Sequence, residues 1–100
     1  MKDYNEAVSN LLDRLHTEFS ARFPTLNRSF YVEKGRKYAK IIGETGSQRS
    51  ALGFIVLNPV KNFVEGDILM AASWNAPALN FARGNIYEGD FERVTPHGVV

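Results

Sequence analysis

The first clear pattern along the chain is helical. Tyr4, Val8, Leu11, Leu15 and Phe19 recur every three or four residues, and Ala7, Leu12 and Phe23 widen the apolar stripe. Asp3-Tyr4-Asn5-Glu6 reads as a capping box: Asp3 accepts from the freed amide at Glu6, whose side chain reaches back. Asp3 and Glu6 at the start and Arg22 at the end complement the macrodipole. Pro24 pushes the residue before it out of the α region, so the spacing predicts a helix over roughly residues 4–22.

From Arg28 onward the pattern becomes β. Ser29-Phe30-Tyr31-Val32 reads as a strand, Lys34-Gly35-Arg36 as a polar turn, and Tyr38 to Ile42 as the next strand. Glu44 to Gln48 forms a second turn, in which Gly46 is free to take positive φ. Ser50 to Leu57 is nearly all apolar, as a central strand requires, and Asn58-Pro59 breaks it. A connection leads to Gly66-Asp67 and a further buried strand, Ile68 to Trp74. Asn75-Ala76-Pro77 has the form of a helix start and Gly84 of a stop, which predicts a short second helix near residues 76–83. Asn85 to Tyr87 and Phe91 to Val94 are candidate edge strands. Short turns between consecutive strands favour a meander over parallel crossovers. The expected fold is therefore α+β: the N-terminal amphipathic helix packed on an antiparallel meander of four to six strands. No repeat or linker divides it, so residues 1–100 read as one domain, with the tail 95–100 free to stay loose.

Composition adds constraints. Seven Phe, four Tyr and one Trp within a 44% hydrophobic chain are enough for a core, so the body of the chain is expected to be ordered. The absence of cysteine removes disulfides and thiolate metal sites. The longest apolar run, Ile68 to Trp74, is too short to span a bilayer, and Met1 to Glu6 shows no signal-peptide pattern. A cytoplasmic protein is the default expectation. The net charge of +1 hides an asymmetry: residues 26–60 sum to +4 and the remainder to −3. A basic segment of this kind suits an anionic partner, and equally a solvated hairpin face.

Most chemistry-bearing residue types fall into ordinary contexts. Gly43-Glu44-Thr45-Gly46-Ser47 lacks the lysine and spacing of a phosphate loop and reads as a β-turn. His16 and His97 have no third ligand beside them, so no zinc site is read and no cofactor is implied. Glu88, Asp90 and Glu92 would share one face of an extended segment, able to hold a hard cation or to protect a sheet edge. Ser50 and Ser73 have no evident base, so no catalytic residue is assigned and an enzyme is not expected.

The most suggestive feature is the stretch Arg28 to Lys40. Basic residues interleave with aromatics there, as in sites where cations track phosphates while bases stack on rings. Arg28, Lys34, Arg36, Lys37 and Lys40 are the expected phosphate contacts, with Tyr31 or Tyr38 stacking; alternation puts Tyr38 and Lys40 on one face of their strand and Ala39 and Ile41 on the other. Trp74 is either a packing anchor or a contact for a partner protein.

Gln48-Arg49-Ser50, Phe54-Ile55, Gly66-Asp67-Ile68-Leu69, Ala72-Ser73-Trp74, Ala76-Pro77-Ala78 and Ala82-Arg83-Gly84-Asn85 together resemble small uncharacterised proteins of tailed bacteriophages. The resemblance covers roughly Tyr38 to Tyr87; the chain departs from it at Asn75, where it implies a lysine, and in the loop Asn58 to Glu65, which is longer than usual. It implies a phage or prophage origin and a bacterial host cytoplasm, and no activity. Two expectations follow: a phage accessory protein that binds single-stranded DNA through the basic-aromatic hairpin, or one that binds and inhibits or redirects a host protein. An open sheet leaves an edge or an apolar face to cover, so a homodimer is expected in either case.

Overall fold

A computed structural model of the protein describes residues 3–100. Its first element is helix α1, Tyr4–Arg22, and the Asp3 side chain accepts from the Glu6 amide at 3.1 Å, as the capping reading requires. The return bond from Glu6 is not formed among the described residues. At the other end the Phe23 amide donates to the Phe19 carbonyl, and Pro24 stops the run.

Strands β1 (Ser29–Lys34), β2 (Tyr38–Thr45), β3 (Gln48–Val56) and β4 (Ile68–Met70) follow and form one antiparallel sheet in the order β1-β2-β3-β4. The expected meander is therefore present. Helix α1 covers one face, where Leu11 and Leu15 are fully buried among Phe30, Ala39, Ile41, Leu52, Ile55 and Ile68. Burying each such leucine contributes about 1.5–3 kcal/mol, which fixes this face as the main core. On the opposite face Phe54, Val56, Leu69 and Phe63 form a second cluster beneath irregular chain. Leu52 to Val56 are thus buried from both sides, which explains why that stretch reads as unbroken apolar sequence.

A β-bulge sits where Ile41 pairs with Gly53 and Ile42 with Ala51, leaving Leu52 as the extra residue of β3. The bulge resets the alternation, so Leu52 and Ile55 both serve the helix face while Phe54 and Val56 serve the other. Gly53 lies against Val99: a Cβ there would stand 2.5 Å from the Val99 Cγ2 and 2.7 Å from the Leu69 carbonyl oxygen.

Three expectations are corrected. Residues 76–83 form no helix. Strand β4 ends at Met70, the chain turns through residues 72–76, Ala71 bridges Pro77, and the amides of Ala78 and Arg83 donate to the carbonyls of Met70 and Ile68. The open edge of β4 thus offers this segment hydrogen bonds that an eight-residue helix, marginal alone, does not outcompete. Residues 85–87 are not a strand either: Ile86–Glu88 is a 3-10 turn capped by the Asn85 side chain and closed by Gly89 in the left-handed region. Glu88, Asp90 and Glu92 therefore do not share an extended face, and no group of three metal-ligating side chains occurs among the described residues. The tail, which the sequence leaves free to be loose or ordered, forms a hairpin: β5 (Val94–Thr95) pairs with β6 (Gly98–Val99), and Val94, Pro96 and Val99 are buried. No helix among the described residues is long and apolar enough to cross a membrane.

The Gly53–Val99 contact makes a stability prediction. Gly53→Ala should cost about 1–3 kcal/mol in urea unfolding, the usual range for overpacking. In a Val99→Ala background that cost should shrink without vanishing, because the Leu69 carbonyl belongs to the main chain and cannot rotate away.

Candidate nucleic-acid interface

The β1–β2 hairpin carries the basic segment, and its tip is fastened from two sides. The Gly35 amide donates to the Tyr38 carbonyl at 2.9 Å, the Leu57 amide to the Lys37 carbonyl at 2.8 Å, and Asn58 Nδ2 to the Arg36 carbonyl at 3.0 Å. Lys34, Arg36 and Lys37 consequently project into solvent from a held backbone.

Beside the tip lies a shallow groove of about 270 Å³, lined by Glu33, Lys34, Arg36, Lys37, Tyr38, Lys40, Phe54 and Asn75. It gathers five of the seven expected contacts: Lys34, Arg36, Lys37, Tyr38 and Lys40. Tyr38 is half-buried, edge-on to Phe54 with ring centroids 6.2 Å apart, and helps close the second core cluster. Lys34 places its ammonium 4.5 Å from the Tyr4 ring of α1.

Trp74, at the tip of the turn through residues 72–76, returns over the same sheet face. Its ring centroid is 3.9 Å from Lys40 Nζ and 5.1 Å from the Arg49 guanidinium carbon, and the residue keeps 38% of its surface exposed. Trp74 thus joins the basic set, to which the sequence pattern gave no link. The corner between strand and helix expected there is instead the tip of an irregular hairpin.

Arg49 organises the rest of this face. It bonds Glu33 at 2.7 Å, approaches Glu44 at 3.8 Å, and lies 5.9 Å from the Tyr31 ring. The Tyr31 hydroxyl donates to Glu44 at 2.7 Å, so Tyr31 is held within this network beside the groove. Both local carboxylates are therefore engaged with Arg49, and Lys34, Arg36, Lys37 and Lys40 have no carboxylate within ion-pair distance among the described residues. Arg49 was legible in principle: a two-residue turn at Gly46-Ser47 sets Thr45 opposite Gln48 and hence Arg49 opposite Glu44.

Arg28 is not part of this arrangement. It stands on the helix side of the sheet, where Nη1 donates to Thr45 Oγ1 at 2.6 Å and the guanidinium carbon lies 5.6 Å from the Phe30 ring centroid. His16 likewise belongs to packing, with its ring edge-on to Phe30 and Nδ1 3.0 Å from the Leu12 carbonyl oxygen.

The hydrogen bond to Glu44, followed by partial desolvation, raises the pKa of Tyr31 above the usual tyrosine value. The neutral phenol is the favoured form in the folded protein. Its contribution to stability is present below the unfolded-state pKa and is lost as pH rises through the raised one. Glu44→Ala should move the Tyr31 titration back down, read as tyrosinate absorbance after subtraction of a Tyr31→Phe control.

Among curated proteins and among solved structures, none matches the chain. A family model described as "Family of unknown function (DUF7717)" matches residues 2–94. With nearly the whole sequence covered, the chain belongs to this family of unknown function, DUF7717.

Proposed function

We propose that the hairpin tip and the sheet face beneath Trp74 bind single-stranded nucleic acid, most naturally DNA, and that the protein serves as a non-enzymatic phage accessory protein in the cytoplasm of an infected bacterium. The observation that carries the reading is the gathering of Lys34, Arg36, Lys37 and Lys40, all without carboxylate partners, around one groove beside the partly exposed ring of Trp74. Uncompensated cations at fixed positions release counterions from a phosphate backbone, and an indole offers a surface on which any base can stack. The phage setting rests on the sequence resemblance alone.

A second reading, binding of a host protein, draws on a different observation. Trp74, Leu79 and Phe81 all expose more than a third of their surface within one irregular segment. Exposed apolar side chains of this kind, with Leu79 and Phe81 lining one groove beside Phe63, suit a partner with an apolar surface, and homodimerisation would draw on the same feature.

Fluorescence anisotropy with labelled single- and double-stranded oligonucleotides at several salt concentrations separates these readings. Four phosphate contacts predict a slope of log affinity against log salt of about −3 for the single strand. Arg36→Glu with Lys37→Glu should flatten that slope by about 1.4 and weaken binding by about tenfold or more without unfolding the protein. Unchanged DNA binding in this variant, or no binding at low salt, would overturn the nucleic-acid reading.

A further inference from the structure

The two edges of the four-stranded sheet are treated differently. The outer edge of β4 is covered: the Ile68 amide donates to the Gly84 carbonyl, and the amides of Ala78 and Arg83 donate to the carbonyls of Met70 and Ile68. The outer edge of β1 has no such cover. Which of its groups point outward follows from the β1–β2 hairpin. The Gly35 amide donates to the Tyr38 carbonyl, so these two residues form a hydrogen-bonded pair. Alternation along the register then makes Glu33–Lys40, Tyr31–Ile42 and Ser29–Glu44 the ladder pairs. The amides and carbonyls of Phe30, Val32 and Lys34 therefore face away from β2, and no backbone group of the described residues bonds them.

Side chains along that edge narrow the choice of partner. Phe30 is buried on the helix side, with the His16 ring edge-on to it at 5.2 Å between centroids. Val32 and, one turn before His16 on α1, Leu12 are only half-buried, so an apolar side chain set opposite Val32 would complete their cover. The charge is one-sided. Lys34, with Arg36 and Lys37 just beyond it, has no carboxylate within ion-pair distance among the described residues, whereas Glu33, the one acid of β1, is engaged by Arg49. A second copy brings the wrong charge. Antiparallel pairing of β1 with itself about Tyr31 sets Lys34 opposite Arg28, whose guanidinium lies against the Gly43 main chain and pairs with no carboxylate of the described residues. Like charges directly opposite are destabilising, and an acidic strand removes the conflict.

We infer that the outer edge of β1 takes an extended acidic segment of another protein as a fifth, antiparallel strand. The segment's backbone bonds the outward groups of Phe30, Val32 and Lys34, an apolar side chain covers Val32, and a carboxylate meets Lys34. Main-chain hydrogen bonds supply the affinity and alternate side chains the selectivity. The inference is independent of nucleic-acid binding: the edge shares Lys34 with the hairpin groove, but neither Phe30 nor Val32 lines that groove.

The test is an NMR titration of the amide-labelled full chain with the capped peptide Glu-Thr-Glu-Thr-Val-Thr-Val. In the expected register its second glutamate lies opposite Lys34 and its valines opposite Val32 and Phe30. Saturable shifts should centre on Phe30, Val32 and Lys34, and the amides of these residues should exchange with solvent about tenfold more slowly or better in the complex. Methylating the amide nitrogen of the first valine, which faces β1, should weaken binding by about tenfold or more. The same change at the threonine before it, whose amide faces away, should leave binding intact. Val32→Pro removes one outward N–H without touching the ladder and should also weaken binding by about tenfold or more. Lys34→Glu should abolish binding of this peptide and accept one with lysines in place of the glutamates. Equal loss from methylation at either position, unchanged affinity of a peptide with glutamines for glutamates, or shifts centred elsewhere would each overturn the inference. So would protection of these amides in the free protein that rises with its own concentration, which would assign the edge to a second copy.

Discussion

The second half of β3 must be covered on both faces, and the rest of the structure follows from that requirement. Leu52 to Val56 are buried, and a strand buried on both sides needs two covers. Helix α1 supplies one with a regular apolar stripe. The other is assembled from irregular chain, with Phe63 and Ala71 packed against Phe54, Val56 and Leu69. Irregular cover brings its own hydrogen-bonding problem, because its backbone groups have no ladder to join. Asn85 answers part of it. Its buried amide donates to the Glu65 carbonyl and the Asp67 carboxylate, while its oxygen accepts from the Tyr87 amide. One side chain thus ties the loop before β4 to the 3-10 turn after it.

Those features with a local cause were legible in the sequence. The stripe from Tyr4 to Phe19, the cap at Asp3, the stop at Pro24 and the turn at Gly46 each depend on neighbours a few residues away. The segment 76–83 departs from its local helical signals because its conformation is decided by the unpaired edge of β4, a tertiary feature outside the segment. The same holds for the tail, whose order depends on Val99 finding Gly53. The candidate site divides along the same line. Alternation places Tyr38 and Lys40 on one face, but the arrival of Trp74 over Lys40 depends on a turn that no local pattern announces. Arg49 lay between these cases, recoverable from hairpin register once the turn is fixed.

A single basic run is split by the sheet into two environments. Arg28 falls on the helix side with Phe30, two residues on, whereas Lys40 faces the opposite side. The charge asymmetry of residues 26–60 therefore describes no continuous patch. It combines a solvated hairpin tip, an ion-paired network around Arg49, and one guanidinium set against Gly43.

The contact between Gly53 and Val99 also sets the order in which the molecule can be completed. The helix is made first, yet its apolar stripe has no sheet to rest on until β1 to β3 exist. The notch left by the missing side chain of Gly53 is filled by a residue forty-six positions later. During synthesis the N-terminal two thirds of the chain must therefore wait with an unfinished interior, and the last strand acts as the latch that closes it.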